Sequence, residues 1–400
     1  MKSRHIAVFT LLSNAHVYPV LGLCSELVRR GHRVTFPTNE RYASEVKKAG
    51  AEPVIFKEVR VENADSFFTP SPFYDRHFWT LWASIIGPRL MIDAASALPK
   101  VESYYMDNRP DVILDDRFCF LGRMLAARLG CSAFIFSPHF APYNDTFVRE
   151  NGIFSNPEPI PAFSKVLDSF LRAYGVKESN NLWRVADLNI YFIPREFQMH
   201  GESFDERFCF VGPCLNRPTN SVWINNSGGR PIVLVSGSQV DGGTAYFRTM
   251  IDAFSGSEFF VVLSPGANIP DDSLGPLPEN FEINKKVFNF QILPHATLAV
   301  SQGGTGTVME SLYYGVPVLL VPRMPVHAET AYRVAELQLG GYLPENAMSA
   351  NSIKENVARI LGDASLTCRI VRMQEIVRNS GGAEKAASRI EQFLEGPRAS

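Results

Sequence analysis

Short apolar runs alternate with amphipathic stretches along the first third of the chain. The runs at 5–12, 32–38 and 52–56 are rich in Val, Ile and Phe, a pattern typical of strands buried on both faces. The stretches at 19–31 and 39–50 carry apolar residues at helical spacing and end in glycine, which suits the left-handed position after a helix. This alternation predicts a parallel sheet covered by helices.

Two insertions interrupt the alternation before it resumes. Residues 57–100 are rich in aromatic side chains and then become helical, and residues 139–185 form a second loop-and-helix insertion. The remaining elements predicted for this half are strands at 110–116, 131–138, 188–194 and 207–213 and a helix at 117–130.

A segment rich in Pro, Asn, Ser and Gly at 214–230 predicts a linker to a second α/β series. The fold class expected is α/β, with two Rossmann-like domains whose parallel sheets face a central cleft. The domains expected are an N-terminal domain at 1–213, a C-terminal domain at 231–380 and a helix at 381–400 that packs back on the first domain. The strands predicted for the second series are 231–238, 259–265, 281–288, 297–302 and 316–322.

Composition narrows the class of protein. A chain of 400 residues exceeds one ordinary core, and 46% hydrophobic with 20% charged residues is typical of a folded globular protein. The net charge of -2 gives no general reason to expect nucleic acid or anionic membrane as a partner. The six cysteines form no C-x-x-C pair, and no apolar run is long enough to span a membrane. We therefore expect a cytoplasmic protein with reduced thiols, either a monomer or a homodimer.

Polar residues that could take part in catalysis lie at the ends of two of the predicted strands. His16 follows the first strand, on a loop before a helix expected to start near Pro19, where an imidazole could act as a general base near pH 7. Asp115 and Asp116 end the strand at 110–116, where a carboxylate could orient that imidazole. The simpler interpretations are an exposed or capping histidine and an aspartate that caps the next helix.

A glycine-rich stretch, residues 302–307, joins the strand at 297–302 to a helix; we call it the glycine loop. Its glycines allow close approach of an anion, its two threonines add hydroxyls, and the helix start adds oriented N–H groups. No lysine follows the glycines, so it is not a P-loop, and a tight turn without a ligand is the simpler interpretation. A second turn at Gly237 and Ser238 favours a nucleotide diphosphate over a single anion.

Five motifs together resemble those of one family, over nearly all 400 residues. The N-terminal strand, the A-H-x-x-P stretch at 15–19 and the following helix are similar to the start of the GT-B macrolide and antibiotic glycosyltransferases, relatives of the UDP-sugar transferases. The other similar stretches are PDVILDD, FVGP, SQGGTGTVMESLYYGVPVLLVP and GGAEKAASRIEQFL.

The resemblance implies an inverting transfer of a sugar from a nucleotide diphosphate, as UDP- or dTDP-sugar, to a hydroxyl of a small, largely apolar natural product. In that reaction His16 would deprotonate the acceptor and Asp116 would hold His16 in the right tautomer. The nucleotide sugar would be a co-substrate, with no tightly bound cofactor and no metal, because backbone amides and a helix dipole can stabilise the leaving diphosphate.

The resemblance also implies two sets of binding residues. The donor set comprises Gly237, Ser238, Lys286, Phe288, Asn289, Gln302, Gly303, Gly304, Thr305, Gly306, Thr307, Glu310, Val326 and His327. The acceptor set comprises Phe67, Phe68, Phe73, Trp79, His139 and Phe140.

The donor set departs from the family pattern at three places. Gln302 replaces a histidine, Val326 and His327 replace an acidic-Gln pair that reads sugar hydroxyls, and Lys286 replaces an aromatic residue at the nucleobase. Because Val326 cannot accept a hydrogen bond, a deoxy- or amino-sugar donor is expected. The alternative is a glycosyltransferase-like binding or auxiliary subunit, which the presence of both His16 and Asp116 disfavours. A nucleotide-sugar epimerase of the same architecture is less favoured because it lacks the histidine loop.

Overall fold

The structure is a computed structural model that describes residues 2–56, 87–142, 161–175, 185–215, 222–237, 243–266, 269–285 and 288–395. The chain divides into two compact units. Unit 1 contains the described residues up to 215 together with 380–395, and unit 2 contains those from 222 to 379. None of the helices in these ranges is long and apolar enough to cross a membrane.

Seven parallel strands form the sheet of unit 1: β1 (His5–Phe9), β2 (Arg33–Thr38), β3 (Glu52–Ile55), β4 (Val112–Asp116), β5 (Ser132–Ser137), β6 (Asn189–Tyr191) and β7 (Phe208–Phe210). Their order is β3-β2-β1-β4-β5-β6-β7. Strands buried on both faces need apolar side chains at successive positions, which explains their short apolar runs. The strand order reverses between β1 and β4, and such a switch point is where open α/β sheets bind ligands.

Helices connect these strands: α1 (Asn14–Arg29), α2 (Glu40–Lys48), α3 (Gly87–Asp107), α4 (Leu121–Leu129) and α5 (Pro161–Ala173). Helix α1 begins at Asn14, whereas the sequence predicted a start near Pro19. Pro19 removes only one backbone donor, and the buried stripe of α1 holds the helix together on either side of it. His16 therefore lies in the first turn of a helix and not on a loop.

Six parallel strands form the sheet of unit 2: β8 (Ile232–Ser236), β9 (Phe260–Ser264), β10 (Phe281–Ile283), β11 (Ala296–Ser301), β12 (Val318–Leu320) and β13 (Gly340–Tyr342). Their order is β10-β9-β8-β11-β12-β13, so this sheet reverses between β8 and β11. The strand predicted at 281–288 is shorter than expected. The α/β class with two parallel sheets is confirmed.

The helices of unit 2 are α6 (Gly243–Phe254), α7 (Asn289–Ile292), α8 (Thr305–Tyr314), α9 (Pro325–Glu336), α10 (Ala350–Leu361) and α11 (Leu366–Asn379). A final helix, α12 (Gly382–Glu395), belongs to unit 1 and packs on α1. Ala386, Ala387 and Ile390 of α12 join the apolar core of that unit. Glu391 of α12 also contacts His32 Nε2 over 3.1 Å, which adds a polar link to the apolar contact.

Candidate active site

Several of the predicted site residues of each unit lie at the switch point of its sheet. In unit 1, β1 leads into the first turn of α1, which carries His16, and the neighbouring strand β4 ends at Asp116. In unit 2, β8 is followed by Gly237, and the neighbouring strand β11 is followed by the glycine loop. Neighbouring parallel strands end at the same sheet edge, so these segments meet within their own unit.

His16 and Asp116 form a hydrogen-bonded pair, with His16 Nδ1 2.7 Å from Asp116 Oδ2. The carboxylate of Asp116 is completely buried, whereas 8% of His16 is exposed. The Thr10 hydroxyl donates to the same carboxylate oxygen over 2.9 Å, and the Phe118 backbone N–H donates to the other oxygen over 2.9 Å. These bonds fix the orientation of both members of the pair.

The partners of Asp116 keep its carboxylate ionised. Burial alone would raise its pKa, but the charge and hydrogen bond of His16, together with the donors from Phe118 and Thr10, hold the pKa of Asp116 below its usual value. An ionised carboxylate only accepts hydrogen bonds, so Nδ1 of His16 carries a proton. In the neutral form of His16, Nε2 is then the nitrogen whose lone pair can take a proton from another molecule.

The adjacent Asp115 has a different role. Its Oδ1 accepts from the Gly122 backbone N–H over 3.0 Å in the first turn of α4, and its Oδ2 accepts from Arg123 Nε over 2.6 Å. Burial raises the pKa of Asp115 to about 6, although the neighbouring Arg123 acts to lower it. One aspartate therefore satisfies a helix N-terminus, as the simpler interpretation expected, and the other contacts the histidine.

We expect Arg123→Leu to lower the free energy of unfolding by about 3–5 kcal/mol, because it leaves the buried Asp115 carboxylate without its counter-ion. It also removes the donor to the carbonyls of Asp116 and Arg117. Urea unfolding at pH 8 measures the change, and Arg128→Leu is the control.

Arg128 forms an exposed ion pair with Glu102, so Arg128→Leu should lower the free energy of unfolding by no more than about 1 kcal/mol. The pKa of Asp115 is raised in the folded protein, so its ionisation opposes folding increasingly as the pH rises from about 3.8 to 6. The loss of unfolding free energy caused by Arg123→Leu should therefore be smaller at pH 5 than at pH 8. Equal losses for the two variants at pH 8 would contradict this account of Asp115.

Two residues of the predicted acceptor set lie in the described part of the chain. His139 Nε2 is 3.4 Å from His16 Nε2, so His139 lies beside the His16–Asp116 pair. Phe140 is only 1% exposed and stacks on Phe197 with ring centroids 5.6 Å apart. Phe140 is therefore packed in the core of unit 1, and its assignment to the acceptor set stays a prediction. Phe67, Phe68, Phe73 and Trp79 lie outside the described residues.

The glycine loop leads into α8 through an unusual backbone. Gly303 has φ of +86°, a value that favours glycine, and Gly304 is the residue before the first turn of α8. A Cβ added at Gly304 or Gly306 meets no atom within 4 Å, so both glycines border open space. The first N–H groups of a helix have no acceptor within the helix, which makes this turn suited to an anion.

Two side chains of the glycine loop are turned toward the protein. Thr305 is buried, and its hydroxyl lies 3.1 Å from that of Thr330 on α9. Gln302 is buried directly after β11. Thr305 can therefore offer an anion its backbone N–H, while its hydroxyl is already bonded within the fold. Thr307 is half-buried, and Glu310 is buried farther along α8.

The start of α9 packs directly on the glycine loop. A Cβ at Gly303 would lie 2.8 Å from the His327 carbonyl oxygen, so only glycine fits there. Burial, with a smaller contribution from Arg323, lowers the pKa of His327 to about 4, which leaves the ring neutral at pH 7. His327 Nδ1 and Arg323 Nη1 are buried without a hydrogen-bond partner among the described residues, and Val326 beside them is half-buried.

From the sequence, Arg323 was not identified as a site residue. Its position directly after the apolar stretch 316–322, at the end of a predicted strand, was a usable signal. Its Nε donates to Glu345 over 2.7 Å, and this bond aligns the guanidinium. Thr10 was also missed, and here the sequence holds no signal, because a threonine in an apolar run does not indicate a carboxylate partner.

Two other predicted donor residues, Gly237 and Asn289, lie at the end of β8. Gly237 has no room for a side chain, because a Cβ would lie 2.7 Å from the Phe247 ring. Asn289 Nδ2 donates to Ser236 Oγ over 3.0 Å, which ties the start of α7 to β8. Phe288 stacks on Phe290 with centroids 5.6 Å apart. Ser238 and Lys286 lie outside the described residues.

Residues 256–390 match the family model described as "Erythromycin biosynthesis protein CIII-like, C-terminal domain". The chain is 34% identical to the NDP-glycosyltransferase YjiC of Bacillus licheniformis over 406 residues, covering 98% of each protein. It is 31% identical to the demethyllactenocin mycarosyltransferase of Streptomyces fradiae over 408 residues, covering 98% of this chain and 86% of that protein. Both similarities extend over almost the whole chain.

Solved structures agree with these relatives. The calicheamicin glycosyltransferase CalG4 matches with a TM-score of 0.82 and 35% identity, covering 100% of each chain. The protein therefore belongs to the GT-B family of macrolide and NDP-glycosyltransferases. The predicted family is confirmed.

Proposed function

We propose that this glycosyltransferase moves a sugar from a UDP- or dTDP-sugar to a hydroxyl of a small, largely apolar natural product, with inversion at the anomeric carbon. The observation that carries the proposal is the buried His16–Asp116 pair at the switch point of unit 1. A binding subunit would have no use for an oriented imidazole with a lone pair available, so the auxiliary function is disfavoured.

In the proposed reaction the acceptor hydroxyl donates its hydrogen bond to His16 Nε2. As the acceptor oxygen forms its bond to the anomeric carbon, the proton passes to Nε2 and the electrons of the breaking C–O bond leave with the diphosphate. Asp116 stabilises the imidazolium that results, because it stays ionised beside Nδ1. A single displacement from the face opposite the leaving group gives the inverted product.

The glycine loop is the proposed site of the diphosphate. The N–H groups and positive dipole end of α8 can stabilise the negative charge that develops on the leaving group, and this supports a reaction without a metal. Gly304 and Gly306 leave space for the phosphates. Val326 at the adjacent helix start suits a sugar with few hydroxyls there, such as a deoxy- or amino-sugar, because its side chain cannot accept a hydrogen bond.

Gly306→Ala tests the proposed diphosphate site. Alanine favours a helix over glycine by about 1 kcal/mol, so the fold should be at least as stable. Its methyl group would occupy space that the phosphates need, and we expect the Kd for UDP or dTDP to rise at least about tenfold. Calorimetric titration in EDTA measures this, with melting of the nucleotide-free protein as the control.

Two outcomes would count against the donor proposal. Unchanged nucleotide affinity in Gly306→Ala would place the diphosphate elsewhere. Wild-type binding and turnover that vanish in EDTA and return with Mg²⁺ would contradict the metal-independent mechanism.

A further inference from the structure

A second imidazole stands beside the proposed base. His139 follows β5, the strand next to β4, and Asp116 pairs with Phe136 in that register. The His139 backbone N–H donates to Ser137 Oγ over 3.1 Å, which fixes the turn that carries the ring. The rings of His16 and His139 have centroids 5.1 Å apart at an angle of 61°, so they meet edge to face.

The closest atoms of the two rings are their Nε2 nitrogens, 3.4 Å apart. The bond to Asp116 leaves His16 Nε2 as an acceptor, so a hydrogen bond across this distance requires that His139 Nε2 carry the proton. A separation of 3.4 Å is longer than a usual N–H hydrogen bond. In the Nε2–H tautomer of His139, the two nitrogens present one acceptor and one donor toward the same small region.

A hydroxyl group matches this pair. It can donate its proton to His16 Nε2 and accept from His139 Nε2–H, with its oxygen about 2.8 Å from both nitrogens. The ring of Phe118 lies against both imidazoles, with centroids 6.1 Å from each, and provides an apolar wall on one side. Phe118 also donates its backbone N–H to Asp116, so the wall and the pair belong to one turn.

We propose that His139 is a catalytic residue whose Nε2–H binds the oxygen of the acceptor hydroxyl and holds its proton toward His16 Nε2. The inference rests on the proposed function, since it assigns a second contact to the same nucleophilic oxygen. The hydrogen bond from His139 stabilises the negative charge that develops as His16 takes the proton. It also selects the acceptor group, because a sulfur atom accepts hydrogen bonds weakly and gains little from His139.

Two substitutions separate this role from packing. His139→Phe keeps a ring against Phe118 but removes the donor, whereas His139→Gln keeps an N–H donor. The assay measures kcat/KM with 2-naphthol and with 2-naphthalenethiol as acceptors, using the UDP- or dTDP-sugar that the wild-type enzyme uses. Calorimetric titration of the nucleotide checks the donor site of each variant.

His139→Phe should lower kcat/KM for the naphthol by about 10²-fold and for the thiol by no more than about threefold, as expected for loss of one donor to the reacting oxygen. His139→Gln should recover most of the naphthol activity, and nucleotide affinity should not change. Equal losses on both acceptors, or no loss on the naphthol, would overturn the role of His139. Absence of product from the wild-type enzyme with every UDP- and dTDP-sugar would defeat the proposed function itself. If the wild-type enzyme forms product and His139→Phe keeps full activity while His16→Ala loses it, His139 alone is misassigned.

Discussion

His16→Ala is expected to reduce kcat by about 10²–10⁴-fold, the usual contribution of a general base. The substitution removes the imidazole that is proposed to take the acceptor proton, and Asp116 loses its hydrogen-bond partner. The glycine loop and α8 lie in unit 2, so the Kd for UDP or dTDP should stay within about twofold of the wild-type value. Product formation by chromatography and nucleotide binding by calorimetry measure the two quantities.

The control for this variant is His5→Ala. His5 is the first residue of β1, its ring contacts Thr35 and the Arg109 carbonyl, and it lies at the opposite end of the strand from His16. The control should keep its kcat. A His16→Ala enzyme that forms product at the wild-type rate would show that the base lies elsewhere.

Asp116→Asn is expected to reduce kcat by about 10²–10⁴-fold while the imidazole remains in place. If the amide oxygen keeps the bond from the Phe118 N–H, the amide nitrogen faces His16 and donates to Nδ1. The proton of the neutral ring then moves to Nε2, where it blocks acceptance from the hydroxyl. Steady-state kinetics with a folded, nucleotide-binding variant measures this effect.

Asp111→Asn is the matched control, because Asp111 directly precedes β4 and bonds Arg4 and the His5 N–H at the other end of the sheet. It should leave kcat unchanged. If Asp116→Asn retained more than about half of the wild-type kcat, Asp116 would have only a structural role.

The layout of both sheets was predictable because most strands contain a short apolar run bounded by polar or glycine residues, and helices usually join parallel strands. The same logic placed His16 and Asp116 at one sheet edge before any contact was known. Helix boundaries were less predictable: α1 starts five residues before Pro19, because a buried stripe compensates for one missing backbone donor.

Contacts between residues distant in sequence could not be predicted from local pattern. Asp115 and Asp116 have the same residue type and the same strand end, and only their three-dimensional partners, Arg123 and His16, separate their roles. The bond of Thr305 to Thr330 and the burial of Phe140 also depend on tertiary packing.

Nucleotide-sugar binding tests the central claim most directly. Calorimetric titration of the wild-type protein with UDP-, dTDP- and GDP-sugars should show saturable binding of at least one UDP- or dTDP-sugar, despite Gln302, Val326 and His327 in the donor set. His16→Ala should bind the same nucleotide sugar with similar affinity. Absence of binding by every nucleotide sugar would contradict the proposed transfer reaction and favour the auxiliary function instead.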